Sequence, residues 1–64
     1  MEDFQQRVVT EKEELDAKIV KLEAFVNNEE KYGALDEDAQ NLLEEQLDVM
    51  QQYSNILDER IKAF

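Results

Sequence analysis

Cysteine, histidine and proline are absent from this chain, and glycine occurs once, at Gly33. Without cysteine there is no disulfide staple, no thiol nucleophile and no redox clue to compartment. Without histidine the commonest metal ligand and acid–base group is missing, which removes the Glu-x-x-His pattern of helix-bundle di-iron sites. A single glycine does not build a phosphate-cradling loop. Hydroxyls are scarce too: Ser54 is the only serine and Thr10 the only threonine, each without an evident base nearby. These absences predict a protein that is not an enzyme and that has no catalytic residues, cofactor or metal site.

Positive charge is also in short supply. Seven Lys and Arg stand against seventeen Asp and Glu, for a net charge of −10. Such a field repels nucleic-acid backbones and anionic membrane surfaces, so neither is expected as a direct partner. Lys12, Lys18 and Lys21 punctuate the first half but read as ion-pairing partners for Glu11, Glu14 and Asp16. The stretch "MEDFQQR" lacks the basic and apolar regions of a signal peptide, and no apolar run approaches the ~20 residues of a membrane span. The expectation is a soluble cytosolic protein.

What remains is the composition of long helices: 42% hydrophobic and 38% charged residues in a chain of 64. That length makes one domain, 1–64, near the lower limit for unaided folding. Helix 1 is predicted over about residues 3–28, with Asp3 as N-cap. A connection over about 29–36 holds Gly33 and a short turn around Glu29–Tyr32, with Tyr32 as a lid. Helix 2 is predicted over about 37–63, capped by Asp36 with Glu37 and Asp38 at its positive end. Paired carboxylates such as Glu13-Glu14 and Glu44-Glu45 diverge on a helix and read as solvated faces.

The apolar periodicity sets the architecture. With Leu43 as heptad position a, Met50, Leu57 and Phe64 follow; g holds Leu42, Val49, Ile56 and Ala63, and e adds Leu47 and Ile61. In helix 1 position a holds Val8, Leu15 and Leu22, and d holds Phe4, Glu11, Lys18 and Phe25. An antiparallel pairing matches Val8 with Leu57, Leu15 with Met50 and Leu22 with Leu43. The same register matches Phe4 with Arg60, Glu11 with Tyr53 and Lys18 with Gln46, so polar layers meet polar layers. The face of helix 2 is wider than one neighbour covers. The predicted fold is therefore all-α: an antiparallel helical hairpin assembling into an oligomeric bundle through Leu42, Leu47, Val49, Ile56, Ile61 and Phe64.

The polar layers have two readings. They fix register and oligomer state, as buried polar pairs do in coiled coils. Alternatively they line a small anion site, with Lys18 and Arg60 as cationic donors, Gln46 and Glu11 for hydrogen-bond specificity, and Tyr53 as a stacking face.

"FQQRVVTEKEELDAKIVKLEAF" and "LLEEQLDVMQQYSNILDERIKAF" together resemble a family of very short proteins of tailed phages and prophages, related to a small protein of crAss-like phages. Phe4 to Val9, Glu11-Lys12, Gln46, Met50, Tyr53, Leu57 and Arg60-Ile61 carry the likeness. The resemblance implies a phage-encoded accessory protein acting in the host cytoplasm. Small non-enzymatic proteins in that setting counter host defence. The leading expectation is sequestration of a small cyclic nucleotide immune signal by Arg7, Lys18, Gln46, Tyr53 and Arg60, pooled from more than one chain. The alternatives are an acidic inhibitor of a host defence protein, imitating nucleic acid, and a purely structural or regulatory bundle.

Overall fold

Three helices account for nearly all of the chain in a computed structural model that describes residues 2–64. They are α1, Asp3–Val26; α2, Glu29–Gly33; and α3, Glu37–Lys62. Each start has a chemical cause. The amide of Glu2 donates to Oε1 of Gln5 at 2.8 Å, so the N-cap is Glu2 and not Asp3. The reason is that glutamine three residues into the helix reaches back to the preceding amide. Asp3 instead lies in the first turn and holds Arg7 at 3.0 Å. Asn28 caps α2 by accepting from the Lys31 amide, and Asp36 caps α3 by accepting from the Ala39 amide at 2.8 Å.

Between α2 and α3 a small polar lock holds the chain's direction. Tyr32 donates its hydroxyl to the Gln40 carbonyl, while the Gln40 side-chain amide donates to the carbonyls of Tyr32 and Leu35. Burial, followed by the nearby Glu44 carboxylate, raises the Tyr32 hydroxyl above its ordinary pKa. Gly33 takes no part in any left-handed turn. It lies within α2 with an ordinary φ, and the space where a Cβ would sit is open.

The long helices α1 and α3 lie side by side in opposite directions, since Phe4 packs near Phe64 while Glu23 meets Gln51. The core between them is small. Val8, Leu15, Ile19 and Leu57 are buried, Leu47, Met50 and Ile61 pack on them, and among the described residues Leu57 is the one large side chain that loses all contact with water.

These residues correct the expected seam. Its inner columns are a and e, not a and d: Ile19 faces in at e, with Leu47 and Ile61 beside it, while Glu11, Lys18, Gln46, Tyr53 and Arg60 are all exposed. Burial explains the rotation. Column e brings Ile19, Val26, Leu47 and Ile61 inward, and its Lys12 and Ser54 find partners in Asp16, whereas turning d outward keeps the charge and amide of Glu11, Lys18, Gln46 and Arg60 in water. Phe4 meets the edge of the Phe64 ring, centroids 6.2 Å apart, where a layer with Arg60 was expected.

The product is a rod of 45 × 15 × 13 Å. Its radius of gyration is 14.6 Å, against roughly 11 Å for a compact domain of this length. Two changes probe this account. Gly33→Ala should stabilise the protein by about 0.4–1 kcal/mol, because a helical position with open space gains from a less flexible unfolded chain. Leu57→Ala should cost about 2–5 kcal/mol, enough to abolish cooperative melting in so small a core. Chemical denaturation followed by circular dichroism measures both.

Candidate ligand-binding edge

The α1–α3 seam has two edges with different chemistry. On one edge, Lys12, Asp16 and Ser54 form a closed clasp. The Lys12 ammonium reaches Oδ2 of Asp16 at 2.8 Å and donates to Oγ of Ser54 at 3.0 Å. The Ser54 hydroxyl donates in turn to Oδ1 of Asp16 at 2.6 Å. The hydrogen bond from Lys12, then that from Ser54, holds the Asp16 carboxyl below its ordinary value of 3.8. Glu23 and Gln51 extend the edge at 3.4 Å.

This clasp supplies the partners that Ser54 lacks in a linear reading of the chain. Lys12 and Asp16 stand four apart on α1 as an ion pair, and column e carries both Lys12 and Ser54 to the seam. Its chemistry is structural. Ser54 is only 8% exposed, its proton is committed to Asp16, and amides within a helix are already bonded to carbonyls four residues back. The Lys12 ammonium is likewise engaged, with Asp16 and Ser54.

The opposite edge carries the residues expected to hold a ligand. At ~100° per residue, Glu11 and Lys18 of α1, with Arg7 beside them, fall on one flank of Leu15. Gln46, Tyr53 and Arg60 form a seven-residue column on the same flank of α3. The Tyr53 hydroxyl donates to Glu11 and bridges the two rows. Arg7 is exposed and paired with Asp3. Gln46 directs its amide at the Met50 sulfur, 3.8 Å away. Lys18 and Arg60 make no ion pair among the described residues.

This row therefore offers an unpaired ammonium and guanidinium, a primary amide and an aromatic ring 41% exposed. Those groups suit an anionic ring compound: charge-assisted donors for phosphate and a face for stacking. An open groove lined by Leu42, Glu45, Gln46, Val49 and Met50 adjoins it. Of the residues expected at an oligomer interface, Leu42, Val49, Ile56 and Phe64 are exposed, while Leu47 and Ile61 pack on the chain's own core. Among the described residues no group of Asp and Glu is arranged to hold a metal ion, and no helix is long and apolar enough to cross a membrane.

The fold and this paired-edge rod place the chain among small all-helical proteins of two long helices. Residues 2–63 match Sequestin, and the chain belongs to that family. No curated protein and no solved structure matches it.

The clasp has a measurable role. Ser54→Ala should lower stability by about 1 kcal/mol, the usual net worth of a lost interior hydrogen bond. Asp16→Asn should destabilise at neutral pH, and the penalty should shrink as pH falls below 3.8. A depressed carboxyl contributes stability above its unfolded-state pKa and loses it as pH drops through the folded value. Urea titrations of both proteins across the acid range test this.

Proposed function

We propose that this protein is a non-enzymatic sponge that binds a small cyclic nucleotide immune signal and withholds it from its receptor. Membership of a family named Sequestin carries this reading, because the name speaks of sequestration. The exposed row of Lys18, Gln46 and Tyr53, flanked by Arg7 and Arg60, supplies a chemistry for it. An anion bound there would meet donors of both cationic kinds in a molecule whose net charge is otherwise strongly negative.

Capture without turnover needs only affinity and copy number, which suits a chain with no evident nucleophile. The two long helices act as an antiparallel hairpin that self-associates, so rows from more than one copy pool around the ligand. The setting is a phage countering defence in the host cytoplasm.

A second reading has its own observation. Glu44, Glu45 and Asp48 are exposed on α3 and make no ion pair among the described residues. That acidic face suits a basic defence protein, imitating nucleic acid. Under it, replacing all three with their amides abolishes activity; under sequestration, activity survives.

Calorimetric titration against cyclic dinucleotides, cyclic trinucleotides and cyclic ADP-ribose isomers tests the main proposal. At least one member should bind. Lys18→Met with Gln46→Leu should keep the fold, since both side chains are exposed, and lose about 1.5–3 kcal/mol per charge-assisted hydrogen bond removed. No binding by the unaltered protein rejects sequestration of this class, and binding retained by the double variant moves the site elsewhere.

A further inference from the structure

The outer flank of α3 presents a row with internal symmetry. Leu42, Val49 and Ile56 are 65%, 57% and 57% exposed, while four apolar side chains are buried among the described residues. Leu42 and Ile56 stand seven residues either side of Val49, and Asp38 and Arg60 stand eleven residues either side of it. At ~100° per residue all five fall within an arc of ~40°. The row reads acid, apolar, apolar, apolar, base, evenly spaced about its middle.

We infer that a second copy of this chain docks on this row, with α3 antiparallel to α3 and Val49 of both copies on the two-fold axis. The inference rests on the self-association in the proposed function and specifies its geometry. Charge decides the direction. A parallel pairing sets every residue against its own counterpart, bringing Asp38 against Asp38 and Arg60 against Arg60. The antiparallel pairing sets Leu42 against the partner's Ile56 and Arg60 against the partner's Asp38, twice per dimer. Arg60 is available for this, having no ion pair among the described residues of its own chain. Isologous contacts of this kind require a self-complementary patch, which the row is.

Area points the same way. The chain exposes 4932 Å² at 7.6 kDa, whereas a compact protein of that mass exposes roughly 4,300 Å². The surplus of roughly 600 Å² approaches the ~800 Å² per partner of a standard interface. From Asp38 to Arg60 the row is ~33 Å long, most of the length of the rod.

The dimer also changes the ligand site. A two-fold axis perpendicular to both helices keeps like flanks on one side, so the Gln46–Tyr53 columns of the two copies lie together, Gln46 of one opposite the partner's Tyr53. Arg60 is then given to the assembly, and Lys18, Gln46 and Tyr53 from both copies remain to face the ligand.

The lack of native cysteine makes the test direct. Purified Val49→Cys should cross-link to itself with a short bismaleimide. Leu42→Cys mixed with Ile56→Cys should give a mixed dimer, while neither alone gives one. Asn55→Cys, on the far face, sets the level of random collision. Self-linking of Leu42→Cys and Ile56→Cys overturns the antiparallel geometry, and linking no better than Asn55→Cys at all three sites overturns the second copy as occupant. In parallel, Asp38→Arg or Arg60→Asp alone should weaken association by roughly tenfold, through two surface pairs per dimer. The double swap should restore it, and failure to restore rejects the ion pair. All six positions are exposed, so the fold should be kept, and circular dichroism of each variant checks the helicity. None of these readouts uses a nucleotide, so a failed ligand titration and a failed dimer geometry remain distinguishable.

Discussion

Burial of Val8, Leu15, Ile19 and Leu57 between two long helices is the contact on which the molecule depends. It joins residues far apart in the chain, and it is thin. With no disulfide, no metal centre among the described residues, and a core of four buried apolar side chains, little else opposes the entropy of the unfolded chain. The need to bury apolar surface decides which columns face inward, and that choice decides what each edge displays. Turning e inward brings Lys12 and Ser54 together over Asp16; turning d outward places Lys18, Gln46, Tyr53 and Arg60 on the surface.

The two edges then divide the work. The clasp edge is saturated, since each polar atom of Lys12, Asp16 and Ser54 named above has a partner, and it fixes how the helices sit along one another. The other edge is unsaturated. Tyr53 bridges to Glu11 there, beside Lys18 and Arg60, which have no ion pair among the described residues, and an apolar row facing water. The proposed ligand row and the proposed docking row are therefore neighbours, so in that proposal assembly bears on the ligand site.

The helices could be read from the sequence because their signals are local. Asp36 before a polar first turn and the apolar period through Leu43, Met50 and Leu57 mark α3 without tertiary information, and the turn at Glu29–Gly33 needs only Asn28 and its neighbours. The pairing of Glu11 with Tyr53 was also within reach, since matching polar layers across two helices sets the register. The rotation of each helix about its own axis was harder to read. It depends on whether column d or column e buries more, and that comparison involves both helices at once: Ile19 and Ile61 outweigh Lys12, which is neutralised by Asp16 and Ser54. A polar residue at the seam tolerated through a partner on the other helix leaves no mark in its own segment. Hence Ser54 looked isolated, and Lys18, Gln46 and Arg60 looked interior.

The central claim is that one chain leaves its α3 flank uncovered and that a second copy covers it. Thermal melting of the unaltered protein over a hundredfold range of concentration tests this most directly. If the native state is an assembly, mass action favours it as concentration rises, and the midpoint should climb by several degrees. A midpoint independent of concentration across that range would mean that the folded state is a single chain, and would contradict the account.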